Sequence, residues 1–91
     1  MRITVQIPSS LRAESGGASV LKVTAADVQE ALHQLEHSQP GLYRSVCDET
    51  GSLRKHMNLF VNDSLLPRDG GLLTKLREGD VLYIMTAVSG G

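Results

Sequence analysis

Aromatic side chains are scarce in this sequence: they make up 3% of its 91 residues, and tryptophan is absent. That excludes a set of stacking platforms for single-stranded nucleic acid. Cysteine is scarcer still. With Cys47 alone, no intrachain disulfide and no cysteine-based metal site can form. Neither sign of charge dominates, because nine Lys and Arg stand against ten Asp and Glu, a formal net charge of −1. The two signs are interspersed along the chain, which argues against a dedicated nucleic-acid or membrane surface. There is no long apolar run, and the N-terminus opens on strand-like alternation, so neither a signal peptide nor a membrane span is expected. These absences predict one small, soluble, cytoplasmic domain with a modest core.

What the sequence does hold is alternation. In Arg2 to Ile7, Ile3, Val5 and Ile7 point one way while Arg2, Thr4 and Gln6 point the other, the mark of a half-buried strand. Pro8 stops it, and a polar loop through Gly16-Gly17 leads to a second strand over Ser19 to Val23. Thr24 is a suitable helix N-cap, with Asp27 three residues on. Val28, Ala31, Leu32 and Leu35 then recur at helical spacing in one apolar stripe. The helix should end before Pro40-Gly41, and Leu42 to Cys47 suggests a further helical turn. Asp48 to Lys55 is a polar loop containing Gly51. Met57 to Val61 is a strand, Asn62-Asp63 starts a turn, and Leu65-Leu66 can pair briefly before Pro67. Gly70-Gly71 precedes a turn over Leu72 to Leu76, and Gly79-Asp80 leads into the last strand, Val81 to Thr86. The order β-β-α-β-(β)-β, without linker or repeat, predicts an α+β roll in which a mixed sheet of four to five strands packs one face on the main helix.

The other face must then meet water or a partner. Burying Leu59, Val61, Leu82 and Ile84 leaves Phe60, Val81, Tyr83 and Met85 pointing outward. Phe60, Tyr83 and Met85 fall on adjacent strands and are candidates for a partner-docking patch. The chain closes on Ser89-Gly90-Gly91 directly after the last strand and Ala87-Val88. At roughly 7% glycine usage, a Gly-Gly ending arises by chance about once in 200 chains. A terminal glycine presents its α-carboxylate with no Cβ nearby, so the carboxyl carbon can enter a narrow channel, be activated as an acyl adenylate and be attacked by a nucleophile. The plain alternative is a short flexible end.

Three stretches together resemble one family: Gly79-Asp80-Val81-Leu82-Tyr83-Ile84, the final Gly90-Gly91, and the β-grasp-like element order. The chain resembles a ubiquitin-like sulfur carrier of the MoaD/ThiS type, whose members include the molybdopterin-synthase small subunit and the carriers for thiamin and cysteine synthesis. Asn58-Leu59-Phe60-Val61-Asn62-Asp63, Gly70-Gly71-Leu72, Ala87-Val88 and the long segment between helix and third strand are most similar to the cysteine-synthesis branch. The resemblance implies a β-grasp domain over residues 1–86 and a flexible tail over 87–91. It implies that an activating enzyme of the ubiquitin-E1 type, using ATP and magnesium, adenylates the Gly91 carboxylate, and that a sulfur donor converts it to a thiocarboxylate. A sulfur-accepting synthase, such as a pyridoxal-phosphate-dependent cysteine synthase, would then take the sulfur. The carrier itself would hold no cofactor and no catalytic side chain. Ala87, Val88, Ser89 and Gly90 would thread into each partner's active site. Some relatives carry residues after Gly-Gly that a protease removes, so a metalloprotease acting on tail or product is a further implied partner, and Gly91 is either encoded as the terminus or exposed by processing. The acceptor stays open among cysteine, siderophore or other secondary-metabolite, and molybdopterin synthesis. A ubiquitin-like modifier joined to lysines through Gly91 would use the same activation chemistry. One departure is Thr86, where many members have a proline that would stiffen the exit of the tail.

Other constellations are weaker. His33 and His37 share a helix face with Glu30 nearby, but Gln34 stands where a zinc protease needs glutamate, and the face reads as solvated. Cys47 has no identifiable base beside it and reads as a small, partly buried residue. Gly70-Gly71 with Thr74-Lys75 fails the spacing of a phosphate loop. Asp48-Glu49 read as solvated loop acids.

Overall fold

In the computed structural model, residues 1–86 are described. The first alternating run forms β1 (Arg2–Gln6), with Ile3 and Val5 buried and Ile7 buried just beyond its end. The next segment is not a plain polar loop but a 3-10 helix, Ser9–Ser15. Its last residue explains the difference. The Ser15 hydroxyl lies 3.1 Å from the Arg12 carbonyl and 2.7 Å from that of Ala18, sharing its proton between them, so a polar side chain is buried with its bonding satisfied. Gly16, at φ 68°, then turns the chain toward β2 (Val20–Thr24).

β2 pairs antiparallel with β1, and Thr24 lies opposite Arg2 as the last rung. Thr24 therefore ends a strand rather than capping a helix. Asp27 is the cap: its carboxylate accepts the Glu30 N–H at 2.8 Å. Helix α1 (Val28–Ser38) buries Val28, Ala31, Leu32 and Leu35, the stripe read from the spacing. It stops ahead of Pro40, yet Pro40 also opens α2 (Pro40–Val46), because its fixed φ and missing N–H suit the first helical position. Leu42 and Val46 add to the core from α2.

Three more strands follow: β3 (Met57–Val61), the two-residue β4 (Ser64–Leu65) and β5 (Val81–Thr86). The sheet order is β2-β1-β5-β3-β4. β1 and β5 run parallel at its centre, and the other neighbours are antiparallel. Apolar side chains of β1, β3 and β5 pack against α1 and α2 in a single cluster. A five-stranded mixed sheet with parallel first and last strands, wrapped on one face around a helix, is the β-grasp fold.

Candidate functional site

The same pleat that buries Leu59, Leu82 and Ile84 turns Phe60, Tyr83 and Met85 to the uncovered face of the sheet. Pairing makes these neighbours. Phe60 lies directly opposite Tyr83, and Leu65 of β4 lies opposite Phe60. Leu65, Phe60 and Tyr83 thus form one apolar row across three strands, which continues through Gln6 on β1 to Val20 on β2. Met85 sits nearer the end of β5, opposite Asn58. Phe60 and Tyr83 are half-buried, while Met85 is 46% and Leu65 58% exposed. Phe60, Tyr83 and Met85, with Asn62 and Asp63, line a shallow recess of ≈ 290 Å³. The sequence reading missed Leu65 and Val20. A two-residue strand has no alternation to orient it, so its strand pairing alone reveals the face.

The β3–β4 turn locks this row. Asn62 takes the left-handed conformation (φ 54°), which asparagine tolerates better than most residues. Its side-chain amide donates to the Asp80 carboxylate and accepts the Val81 N–H, both at 3.1 Å, and its own N–H donates to the Val81 carbonyl at 2.8 Å. The Asp80 carboxylate also accepts the Arg77 N–H at 2.8 Å. These bonds, first from Arg77 and then from Asn62, hold the Asp80 carboxyl below the usual carboxylate range. The turn after β3 and the turn before β5 are thereby one hydrogen-bonded unit, which fixes the Phe60–Tyr83 register.

At the opposite end of the pair, β5 finishes at Thr86, which lies across from Met57. The Thr86 hydroxyl lies 3.1 Å from that of Ser10 in the 3-10 helix. Arg68 braces the neighbouring segment: its guanidinium donates to the carbonyls of Arg54 (3.0 Å), Lys55 (2.6 Å) and Met57 (2.6 Å). Ala87, Val88, Ser89, Gly90 and Gly91 lie outside the described residues.

The remaining candidates resolve into structural roles. The His33 and His37 rings stack with centroids 6.2 Å apart on the exposed face of α1. Among the described residues no group of three His, Cys, Asp or Glu side chains could hold a metal ion. Cys47 is buried, and that burial, followed by the nearby Asp48 charge, pushes its thiol up to about 11. At neutral pH it stays protonated and a poor nucleophile. Gly70, at φ 77°, turns the chain, and a Cβ on Gly71 would sit 3.2 Å from Leu66 Cβ, so the pair serves close packing. Asp48 is more than a solvated acid. It accepts the Thr50 hydroxyl at 2.6 Å and the N–H groups of Thr50 and Ser52 at 2.9 and 3.1 Å, anchoring its loop. Its carboxyl is held low, first by that hydroxyl. No helix among the described residues is long and apolar enough to cross a membrane.

Comparison with known proteins matches this architecture to a family. The chain is 32% identical over 93 aligned residues to the sulfur carrier protein CysO of Mycobacterium tuberculosis, covering 100% of both chains. Among solved structures, it resembles a chain of the Amycolatopsis orientalis BexX/CysO complex with a TM-score of 0.86 and 34% identity, over 98% of this chain and 99% of that one. It also resembles small archaeal modifier protein 1 of Haloferax volcanii, with a TM-score of 0.83 and 26% identity over 100% of each. The ThiS family model matches residues 5–91, from the middle of β1 through Gly90-Gly91. With the β-grasp sheet and this match along nearly its whole length, the chain belongs to the ThiS family.

Proposed function

We propose that this protein is a sulfur carrier, a protein cosubstrate rather than a catalyst, and that the Gly91 α-carboxylate is its working group. The observation that carries the reading is the 32% identity, over the whole of both chains, to a protein named as a sulfur carrier. Residues 1–86 form the docking domain and residues 87–91 the segment delivered into a partner's active site. An E1-like enzyme using ATP and magnesium joins a Gly91 carboxylate oxygen to the α-phosphate of ATP, and pyrophosphate leaves. Sulfide then attacks the acyl carbon, AMP leaves, and a thiocarboxylate remains. That anion passes sulfur to an electrophile on an accepting synthase; the similarity to CysO favours a cysteine synthase using pyridoxal phosphate, ahead of siderophore or molybdopterin synthesis. A metalloprotease that trims the tail or the product would complete the set of partners.

On the carrier, the row Leu65–Phe60–Tyr83 with Met85 serves as the docking face. It lies on β3–β5, and β5 runs covalently into residue 87, so a partner that seats this face also sets the direction in which the last residues enter. Bulk at Gly90 or Gly91 would obstruct that entry.

Intact mass spectrometry after incubation with an activating enzyme, ATP and sulfide tests the reading. The expected result is a gain equal to one oxygen-to-sulfur exchange, lost when Gly91 is deleted. Persistence of the gain without Gly91 would refute the mechanism. A second reading, a modifier conjugated through Gly91, is favoured by the likeness to small archaeal modifier protein 1. Isopeptide adducts on lysines of other proteins, without a thiocarboxylate intermediate passing to a synthase, would select it.

A further inference from the structure

β2 forms one edge of the sheet, paired with β1 through five consecutive rungs and with no strand on its other side among the described residues. The Ala25 N–H donates to the Met1 carbonyl and the Ile7 N–H to the Ser19 carbonyl, each at 2.9 Å. These bonds bracket the antiparallel ladder, so its bonded rungs fall on odd-numbered residues. Leu21 and Val23 therefore turn their peptide groups to β1, while Val20, Lys22 and Thr24 turn theirs outward. Among the described residues no hydrogen bond reaches those three N–H groups. Folded chains usually blunt such an edge with proline, a bulge or a projecting charge. β2 has no proline, and its unbroken register leaves no bulge. Its one charge is drawn aside, because the Lys22 ammonium donates to the Thr4 hydroxyl at 2.9 Å, over the sheet rather than beyond its rim. Leu21 and Val23 point to the opposite, helix-covered side, where they are half-buried. On that side a recess of ≈ 700 Å³ reaches from β2 to the second half of α1, walled in part by Ile3, Val23, Gln34 and Ser38.

We propose that β2 accepts an extended segment of a partner protein as an antiparallel sixth strand, with apolar side chains turned to the recess and a carboxylate beside Lys22. Outward peptide groups supply the affinity of such an addition, and the adjoining recess selects alternate side chains. Charge names the occupant. The ionisable side chains that line the recess are Arg2, Lys22 and Glu78. Glu78 accepts the Arg2 N–H at 2.8 Å at the end of the sheet, which leaves Lys22 as the charge alongside the added strand. Its ammonium has donors to spare beyond the one given to Thr4. A second copy of this chain cannot match it, because β2 carries no carboxylate. In antiparallel self-pairing Lys22 meets Lys22, or, with the register shifted by two, Val20 or Thr24. The interaction goes beyond the sulfur-carrier reading and does not depend on it. β1 lies between β2 and β5, so an added strand leaves Phe60, Tyr83 and the end of β5 clear.

The test titrates the full ¹⁵N-labelled chain with a capped peptide of about seven residues that alternates valine and glutamate. Amide shifts should saturate and be largest at Val20, Lys22 and Thr24. At saturation those three amides should exchange with solvent at least about tenfold more slowly, while Leu21 and Val23, already bonded to β1, change little. In an antiparallel addition the glutamate N–H groups face β2. A peptide N-methylated at its glutamates keeps every side chain and should bind at least about tenfold more weakly. K22E, an exposed change that leaves the β1 rungs intact, should weaken the glutamate peptide about fivefold and make a valine–lysine peptide the better ligand. No binding up to about 5 mM peptide overturns the proposal, as do shifts centred on Phe60 and Tyr83, or an N-methylated peptide that binds as well as its parent. Equal binding of the valine–lysine peptide by the wild-type chain overturns the assignment of an acidic partner. Protection of Val20, Lys22 and Thr24 that grows with the concentration of the chain alone gives the edge to a second copy instead.

Discussion

Arg68→Met keeps most of the apolar stem and removes the guanidinium, so it isolates the brace beneath the end of β3. Three carbonyls lose their charged donor: those of Arg54, Lys55 and Met57. The bond to Met57 is part-buried, and a charge-assisted bond in that setting is worth about 1.5–3 kcal/mol. The two exposed bonds can be replaced by water and contribute about 0.5 kcal/mol each at most. The expected loss is therefore about 2–3 kcal/mol, which for a domain of this size lowers Tm by about 10–15 °C. Urea melts followed by far-UV circular dichroism should show a lower midpoint with an unchanged slope. Hydrogen exchange should localise the effect. The Met57 amide, which donates to the Arg54 carbonyl at 3.0 Å, and the Arg54 amide, which donates to Val46 at 2.9 Å, should lose protection before the β1–β2 amides do. Arg68→Lys should recover less than half of the loss, because one ammonium cannot span the carbonyls that a planar fork reaches. A destabilisation below about 0.5 kcal/mol, typical of an inert surface change, would refute the assignment, and so would an even loss of protection across the sheet.

Phe60→Asp and Tyr83→Asp should each raise the carrier KM of the activating enzyme at least about tenfold by placing a charge in the apolar row, at a cost of about 1–3 kcal/mol in stability that leaves the chain folded in thermal melts; activation kinetics that do not change would remove the face from the docking account. Asp27→Ala should cost about 1 kcal/mol in urea melts by freeing the Glu30 N–H, and Asp27→Asn should restore most of it. For Cys47 the sign follows from its thiol being raised from an ordinary 9.0 to about 11 in the folded chain. Its contribution is fully present below 9.0 and is lost as pH rises through about 11. Native chain should resist iodoacetamide at neutral pH and unfold more readily as pH climbs through that window, and Cys47→Ala should flatten the alkaline slope; equal slopes for the two chains would contradict it.

The parts of the fold legible in the sequence were those with a clean period. β1 alternates apolar and polar residues and α1 repeats its apolar residues at helical spacing, so their core-facing sides follow from the period alone; β3 and β5 are near-continuous apolar runs, and the burial of Leu59, Leu82 and Ile84 in the folded chain decides which of their faces is inward. Punctuation was less certain, because one residue type serves two roles. Thr24 and Asp27 are both good caps, and the pairing of Thr24 with Arg2 decides between them. Pro40 ends one helix and starts the next. The Ser9–Ser15 helix has no apolar period at all, and it is held by Ser15 bonding to carbonyls that only the folded path brings near. The candidate face was read from Phe60, Tyr83 and Met85. Leu65 escaped, since a two-residue strand shows its face only through its pairing with β3.

The two halves of the proposed carrier act against each other energetically, and the magnitudes indicate what docking must supply. Fixing the backbone of residues 87–91 in a channel costs about 1–2 kcal/mol each, about 5–10 kcal/mol in all. Burying a fully exposed apolar side chain returns about 1.5–3 kcal/mol. Phe60 and Tyr83 begin half-buried, and Met85 and Leu65 at 46% and 58% exposure, so each retains about half of that gain. The apolar row then returns about 3–6 kcal/mol, a few kcal/mol short of the cost of the tail even before that of bringing two molecules together is counted. On the proposed function, the shortfall has to be met by backbone hydrogen bonds that a partner's channel makes to the tail. Weak docking follows from this deficit, and it would suit the proposed carrier, which has to leave an enzyme that loads it in order to reach one that unloads it.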